Sequence, residues 1–116
     1  MFFDYSSFQF YIKPGYIDMR KGIPGLSLFI QEMMQMNPFT EKTMFLFCGK
    51  NKRMLKALVW DKNGFWLMTK KLQMGTFVWP QSTKEALKLT RNDIQRLLSG
   101  QDIFRKLPDL GGEFVI

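Results

Sequence analysis

Two runs of strand-forming residues flank a turn in the middle of the chain. Met54 to Trp60 and Phe65 to Leu72 are rich in apolar, β-branched and aromatic side chains, which are typical of strands. Asp61-Lys62-Asn63-Gly64 separates them. Asp suits the first position of a type I turn, and Gly tolerates the left-handed position that closes it. The pattern predicts a β-hairpin.

The turn also limits the register of the predicted hairpin. A bulge at Gly64 would pair Lys56 with Lys70, whereas a loop of Asn63-Gly64 alone would pair Lys56 with Lys71. Either register places a lysine opposite a lysine, which destabilises a ladder by up to about 1 kcal/mol. Two interpretations stay open: the pair holds an anion such as phosphate, or both amines extend into water.

Shorter apolar runs predict further strands on both sides of the hairpin. Phe8 to Ile12 and Met44 to Cys48 are such runs, and Thr76 to Trp79 is another, stopped by Pro80. The polar stretch from Gln81 to Lys88 predicts a connection, with a short extended piece at residues 86–89. The three apolar runs fit strands added to the hairpin.

Two segments have the spacing of amphipathic helices. The main helix is predicted over residues 24–36, because Pro24 suits its first position and Asn37-Pro38 disfavours its continuation. A short C-terminal helix is predicted over residues 91–99, with a capping-box pattern at Thr90 and Asp93 and a stop at Gly100. The apolar positions of the main helix follow i, i+3, i+4, i+7 spacing and are Leu26, Phe29, Ile30 and Met33.

These elements predict an α+β fold. We expect an antiparallel meander sheet of about 4–5 strands, with the main helix (about 24–36) on one face and the short C-terminal helix (about 91–99) near its end. A chain of 116 residues suits one domain. We place that domain at residues 1–104 and expect an irregular tail at residues 105–116.

The positive charge is concentrated on the predicted hairpin. Residues 50–71 hold seven Lys and Arg against one Asp, which gives this segment +6 of the net charge of +7. Such a segment attracts polyanions, with nucleic acid favoured over an anionic membrane, because membrane binding would favour a basic amphipathic helix. The alternative is a solvated basic face without a partner.

Two further cations precede the main helix. Helix N-termini offer free N–H groups and partial positive charge, so Arg20 and Lys21 there suit a phosphate-binding corner, or else belong to a solvated loop. The candidate nucleic-acid-binding residues are therefore Arg20, Lys21, Lys50, Lys52, Arg53, Lys56, Lys62, Lys70 and Lys71.

The residue inventory disfavours most catalytic chemistry. The chain has no His and one Cys, which removes the commonest general base and an intrachain thiolate zinc site. The acidic residues are scattered singly, whereas a hydrolase would need carboxylates converging in a pocket. We expect a noncatalytic protein with no catalytic residue, no metal and no cofactor.

The same inventory bears on location and partners. Cys48 lies in an apolar run, which predicts an inert buried thiol, and a single cysteine fits a reducing cytoplasm. No apolar run approaches the roughly 20 residues that span a membrane, and the N-terminus lacks the pattern of a signal peptide. We expect a cytoplasmic protein without membrane contact.

Two interpretations are open for the methionines at the end of the main helix, Met33, Met34 and Met36. They form a soft partner-binding surface, or they fill gaps in the core.

Several segments together resemble one protein family. Residues 17–26, I-D-M-R-K-G-I-P-G-L, resemble the family pattern V-D-M-R-K-G-x-x-G-L. Residues 56–72 and 77–80 resemble K-x-L-x-W-D-x-x-G-F-x-L-x-x-K-R-L followed by F-x-W-P, and residues 97–102 resemble L-L-x-G-x-D. This likeness spans about residues 8–103. The family is the small accessory protein, often called TnpB, encoded by the second reading frame of insertion sequences of the IS-sixty-six type. Lys71 stands where the pattern has Arg, which keeps the charge but loses bidentate geometry.

The resemblance implies a noncatalytic accessory protein of transposition, made beside a separate and larger transposase. With the basic hairpin, it predicts binding to DNA at the ends of the mobile element, or to a transposase–DNA complex. The alternative is a protein-interaction module that binds the transposase without touching nucleic acid.

Overall fold

The computed structural model describes residues 5–99 of the chain. In that range a short 3₁₀ turn at Tyr5–Ser7 precedes four strands and three α-helices. The strands are β1 (Gln9–Ile12), β2 (Thr43–Cys48), β3 (Met54–Asp61) and β4 (Gly64–Lys71), and the helices are α1 (Ile23–Glu32), α2 (Thr83–Leu87) and α3 (Arg91–Leu98). The predicted tail at residues 105–116 and the helix stop at Gly100 lie outside the described residues.

The α+β class is confirmed, but the sheet is not an antiparallel meander. Its strand order is β1-β2-β3-β4, and β1 runs parallel to β2, with Gln9 opposite Thr43 and Ile12 opposite Leu46. The other two pairs are antiparallel. Parallel neighbours need a crossover connection, and α1 lies within that connection between β1 and β2. The strand–helix–strand order in the sequence is the signal for this arrangement.

The predicted hairpin is present as β3 and β4, but both proposed registers are wrong. Asp61 pairs with Gly64, so the loop is Lys62-Asn63 and Lys56 faces Thr69 instead of a lysine. The left-handed conformation belongs to Lys62, with a φ of 55°, and not to Gly64. Because the two-residue loop lies at Lys62-Asn63, nearer the start of the turn than either register assumed, the pairing shifts and the proposed lysine pair does not form.

The sheet is covered on both faces, because alternate residues of each strand point to opposite sides. On the α1 side, Leu26 and Ile30 of the helix are fully buried against the sheet. On the other side, α3 contributes Ile94 and Leu97 to a larger core. Each fully buried Leu, Ile or Phe contributes about 1.5–3 kcal/mol relative to an exposed one. The sheet residues of the α1 side are Phe45, Phe47 and Leu58, and those of the α3 side are Met44, Leu46, Cys48, Leu55, Ala57 and Val59.

The main helix ends earlier than predicted, at Glu32 instead of residue 36. The Met36 N–H donates to the Ile30 carbonyl at 3.0 Å, and Gln35 turns the chain away with a φ of 54°. Met33, the C-cap residue of α1, is 70% exposed, although its spacing predicted the buried face. Met34 packs against the α1-side core as a gap-filling methionine.

The predicted strand at residues 76–79 is absent from the described sheet. Phe77 and Trp79 are nevertheless buried in the α3-side core. Their segment is held by single hydrogen bonds, from the Phe77 N–H to the Lys52 carbonyl at 2.6 Å and from Trp79 Nε1 to the Lys13 carbonyl at 2.8 Å. Core packing, and not a ladder, fixes this segment.

The two short helices show what a capping pattern can predict. Thr90 and Asp93 form the expected capping box at the start of α3, which spans Arg91–Leu98. The extended piece predicted at residues 86–89 is wrong, because residues 86–87 belong to α2 and Lys88 is its C-cap in a helical conformation. Ser82 Oγ accepts from the Glu85 N–H at 3.1 Å, so Ser82-x-x-Glu85 is a capping-box signal that the sequence contains.

Candidate nucleic-acid interface

A cleft of about 710 Å³ opens at the edge of the sheet where β2 ends and β3 begins. Its walls are the loop before α1, the β2–β3 loop and the end of β4. We call it the basic cleft, because it brings together four of the nine predicted cations: Arg20, Lys50, Arg53 and Lys71. The full lining is Tyr16, Ile17, Asp18, Met19, Arg20, Gly49, Lys50, Asn51, Arg53, Met54 and Lys71.

The β2–β3 loop, which carries Lys50, Lys52 and Arg53, is held by backbone hydrogen bonds. The Gly49 N–H donates to the Met54 carbonyl and the Lys52 N–H to the Gly49 carbonyl, each at 3.0 Å. The Leu72 N–H donates to the Arg53 carbonyl at 2.8 Å, which ties the loop to the end of β4. Its cations therefore project from a fixed backbone.

The loop before α1 forms a turn around Asp18. The Asp18 carboxylate accepts from the Arg20 N–H at 2.9 Å and from Arg20 Nη2 at 2.7 Å. These hydrogen bonds lower the pKa of the Asp18 carboxyl to about 2. Arg20 is therefore already paired with a carboxylate, and it adds less free positive charge to the basic cleft than the lysines do.

Lys56 anchors this turn from the hairpin. Its Nζ donates to the Met19 carbonyl at 2.7 Å and to the Lys21 carbonyl at 2.9 Å. Met19 in turn lies close above Gly49, where an added Cβ would come within 2.7 Å of Met19 Cγ. The geometry gives Lys56 a positioning role, because its amine is already used to hold the turn beside the β2–β3 loop.

The remaining predicted cations lie in different places. Lys21 and Lys52 are exposed beside the basic cleft. Lys70 is on the α3 side of the sheet, where its Nζ donates to the Leu98 carbonyl at 2.8 Å. Lys62 is at the far end of the hairpin, with its N–H donating to Glu41 Oε1 at 2.8 Å. The hairpin is therefore not one uniformly charged face.

The cations of the basic cleft have few acidic neighbours. Among residues 5–99, Lys50, Arg53 and Lys71 form no ion pair with a carboxylate. Lys50 Nζ instead lies 5.9 Å from the centre of the Tyr16 ring, within the range of a cation–π contact. Tyr16 is 59% exposed. Sequence analysis missed this tyrosine, although its position two residues before Asp18 places it beside the predicted phosphate-binding corner.

A second cavity, of about 410 Å³, lies between the sheet and α3. Apolar side chains dominate its lining, among them Leu55, Met68 and Leu98, and its cation is Lys70. Because that amine already donates to a carbonyl, the cavity offers a polyanion much less charge than the basic cleft does.

The far end of the hairpin carries an aromatic cluster. The rings of Phe39, Trp60 and Phe65 lie 5.0–5.3 Å apart in tilted and edge-to-face arrangements. Trp66 is 43% exposed, and its Nε1 donates to Asp61 at 3.2 Å. Of the three tryptophans, Trp79 is the one in the buried core.

The remaining features to consider are the Cys48 thiol, possible metal ligands and membrane-spanning helices. Cys48 is buried, and burial raises the pKa of its thiol to about 11, as expected for an inert core thiol. Within the described part of the chain, no three acidic or cysteine side chains converge as a metal site would need. Across that same part, no helix has the length and apolar character to cross a bilayer.

Residues 5–99 therefore form an α+β fold with a cationic cleft at one end of its sheet. A family model described as IS66 Orf2 like protein matches residues 8–107, and the chain belongs to this family. The resemblance drawn from the sequence motifs is therefore confirmed. Membership supports an accessory role in insertion-sequence transposition.

Two relatives come from Sinorhizobium fredii (strain NBRC 101917 / NGR234). The chain is 38% identical over 92 residues to uncharacterized protein y4hO, a match that covers 79% of each chain. It is 29% identical over 86 residues to uncharacterized protein y4jC, covering 74% of this chain and 73% of that one. No solved structure matches the chain.

Proposed function

We propose that this protein is a noncatalytic accessory protein of transposition that binds DNA, alone or in a complex with transposase, through the basic cleft. The observation that carries the proposal is the convergence of Lys50, Arg53 and Lys71 on one cleft without described acidic partners. Family membership supplies the context, because DNA is the polyanion that a transposition complex contains.

Within this proposal, the position of each predicted cation decides the role that we assign to it. Those in or beside the cleft would contact phosphates: Arg20, Lys21, Lys50, Lys52, Arg53 and Lys71. Lys56 would position the turn that carries Arg20 and Lys21. Lys62 and Lys70 lie away from the cleft and would contribute only to the general field of the protein.

Salt dependence tests the proposal. The assay is fluorescence anisotropy with DNA carrying the terminal repeats of the element, with and without transposase, at about 50 and about 200 mM salt. Four to six phosphate contacts predict that affinity falls roughly 10² to 10³-fold between these conditions. A flat salt response, or no binding at the lower salt concentration with or without transposase, would contradict the proposal.

A second candidate function is a transposase-binding module with no nucleic-acid contact. The exposure of Leu28 (51%), Met33 (70%) and Phe39 (48%) favours it, because large apolar side chains at the surface suit protein interfaces. Co-purification with transposase that survives nuclease treatment and neutralisation of the cleft cations would support this candidate over the first.

A further inference from the structure

Tyr16 is an aromatic side chain that the core does not use. It is 59% exposed on the wall of the basic cleft, and it also lines a small adjoining pocket with Lys50 and Lys52. An exposed aromatic ring surrounded by cations contributes little to folding. Its position therefore points to a role in binding.

The backbone around Tyr16 is fixed on both sides. The Gly15 N–H donates to the Pro80 carbonyl and the Ile17 N–H to the Cys48 carbonyl, each at 2.9 Å. The Tyr16 carbonyl accepts from Lys13 Nζ at 3.1 Å. Gly15 has a φ of 70°, a conformation that a residue with a side chain rarely adopts. The chain therefore presents this ring from a rigid support.

We propose that the basic cleft holds an unpaired nucleotide whose base stacks on Tyr16, so that the protein prefers single-stranded DNA to duplex. An aromatic platform flanked by backbone-tracking cations is how proteins hold single strands. Lys50 lies over one face of the ring, and the base would stack on the other. Arg53 and Lys71, which also line the cleft, would neutralise the phosphates on either side of that nucleotide.

The size of the basic cleft favours one or two nucleotides over a duplex. Its volume of about 710 Å³ falls within the range of about 300–1,000 Å³ that is typical of small-ligand sites. In a duplex the bases are stacked on one another, so a base reaches Tyr16 only if it is unpaired or flipped out. This inference rests on the proposed function and specifies that the DNA in the cleft is single-stranded.

The test compares a single-stranded DNA oligonucleotide with its duplex, using the full chain in a binding titration. Tyr16→Leu removes the π face and is expected to weaken single-strand binding about 5- to 150-fold. Duplex affinity should stay within about twofold. Tyr16→Phe keeps a ring and should restore single-strand binding to within about threefold of the original chain. Tyr11→Leu is the matched control, because Tyr11 is 39% exposed on β1 outside the cleft.

The outcomes separate this inference from the proposed function. If Tyr16→Leu binds the single strand as well as the original chain, or if the duplex binds better than the single strand, the inference is overturned. The proposed function would then still stand, provided that neutralising Lys50, Arg53 and Lys71 abolishes duplex binding. If the original chain binds neither form of DNA, both proposals fail.

Discussion

The two ends of the β3–β4 hairpin differ in chemistry, although one run of sequence encodes both. Seven residue steps separate Met54 from Asp61, so the ends lie roughly 23 Å apart by the usual strand rise. At one end, Lys71 and the β2–β3 loop line the basic cleft. At the other, Trp60 and Phe65 pack with Phe39 beside the Lys62-Asn63 loop. A basic segment of sequence therefore need not form a basic face.

Lys56 and Lys70, which one of the two predicted registers would have paired, also differ in their surroundings. Lys56 and Lys70 lie on opposite sides of the sheet, and each amine donates to backbone carbonyls. Lys56 holds the turn before α1, and Lys70 contacts the end of α3, where the carbonyls carry partial negative charge. Neither lysine is placed as a free phosphate contact, although both add to the charge count.

The largest change in stability is expected when these two lysines are replaced, and it should differ between them. Lys56→Met should lower the free energy of unfolding by about 1.5–3 kcal/mol, because it leaves two carbonyls without their charged donor, one of them in a part-buried bond. Lys70→Met should cost less than about 1 kcal/mol, because its single bond is exposed. Urea denaturation measures both. Equal costs for the two variants would contradict the positioning role of Lys56.

The next largest difference in stability is expected between substitutions of two glycines, one near each end of the hairpin. Gly49→Ala should cost about 1–3 kcal/mol of unfolding free energy, because the new Cβ would lie 2.7 Å from Met19 Cγ. Gly64→Ala is the matched control, since nothing lies within 4 Å of its added Cβ, and it should change stability by less than about 0.5 kcal/mol. Thermal unfolding of both variants decides this, and a neutral Gly49→Ala would show that Met19 moves freely.

A smaller effect concerns the carboxylate in the basic cleft. Asp18→Asn removes a negative charge and releases Arg20, while the amide oxygen can still accept from the Arg20 N–H. DNA affinity at low salt should rise by up to about tenfold, as for one added phosphate contact. Asp61→Asn makes the same charge change at the aromatic end and should alter affinity less than twofold, or about 0.4 kcal/mol. Equal gains in the two variants would mean that only net charge matters.

The same carboxylate has a defined pH dependence. Because the folded-state pKa of Asp18 is lowered to about 2 from an ordinary value of 3.8, its contribution to stability is present above about pH 4. That contribution is lost as the pH falls through about 2. An NMR titration of the Asp18 carboxyl should therefore show a midpoint near 2, and a midpoint near 3.8 would mean that the contact with Arg20 does not form in solution.

The smallest effect is at the aromatic end. Lys62→Gly should stabilise the protein by about 0.5–1 kcal/mol, because Lys62 has a φ of 55°, which favours glycine. DNA binding should change little, since Lys62 lies outside the basic cleft. Chemical denaturation and a binding titration measure the two quantities, and a clear loss of DNA affinity would extend the interface to this end.

Local patterns predicted most of the elements. The apolar runs predicted β1, β2 and the hairpin, and the pairing of Thr90 with Asp93 predicted the start of α3. The register could not be predicted, because turn chemistry favours Gly in the left-handed position and the chain places Lys62 there. The parallel pairing of β1 and β2 depends on where α1 takes the chain, which periodicity alone does not report.

The candidate site could be predicted in its residue types but not in its assembly. Charge counting identified Lys50, Arg53 and Lys71, and the sequence before α1 suggested Arg20. That these cations share one cleft depends on distant contacts, above all from Lys56 Nζ to the Met19 carbonyl. Tyr16 could not be predicted as a site residue, because an isolated tyrosine has no sequence signature of its own.

The salt dependence of DNA binding by two matched triple variants distinguishes the basic cleft from other charged parts of the protein. One replaces Lys50, Arg53 and Lys71 with Gln in the basic cleft. The other replaces with Gln three lysines that do not line the cleft, Lys62 of the hairpin loop, Lys84 of α2 and Lys88 at the end of α2, so both variants lose three charges. We expect the first to reduce the slope of log affinity against log salt by about 2–3, and the second to leave it within about 0.5 of the original. Equal losses in the two variants would contradict the claim that the basic cleft is the DNA-binding site.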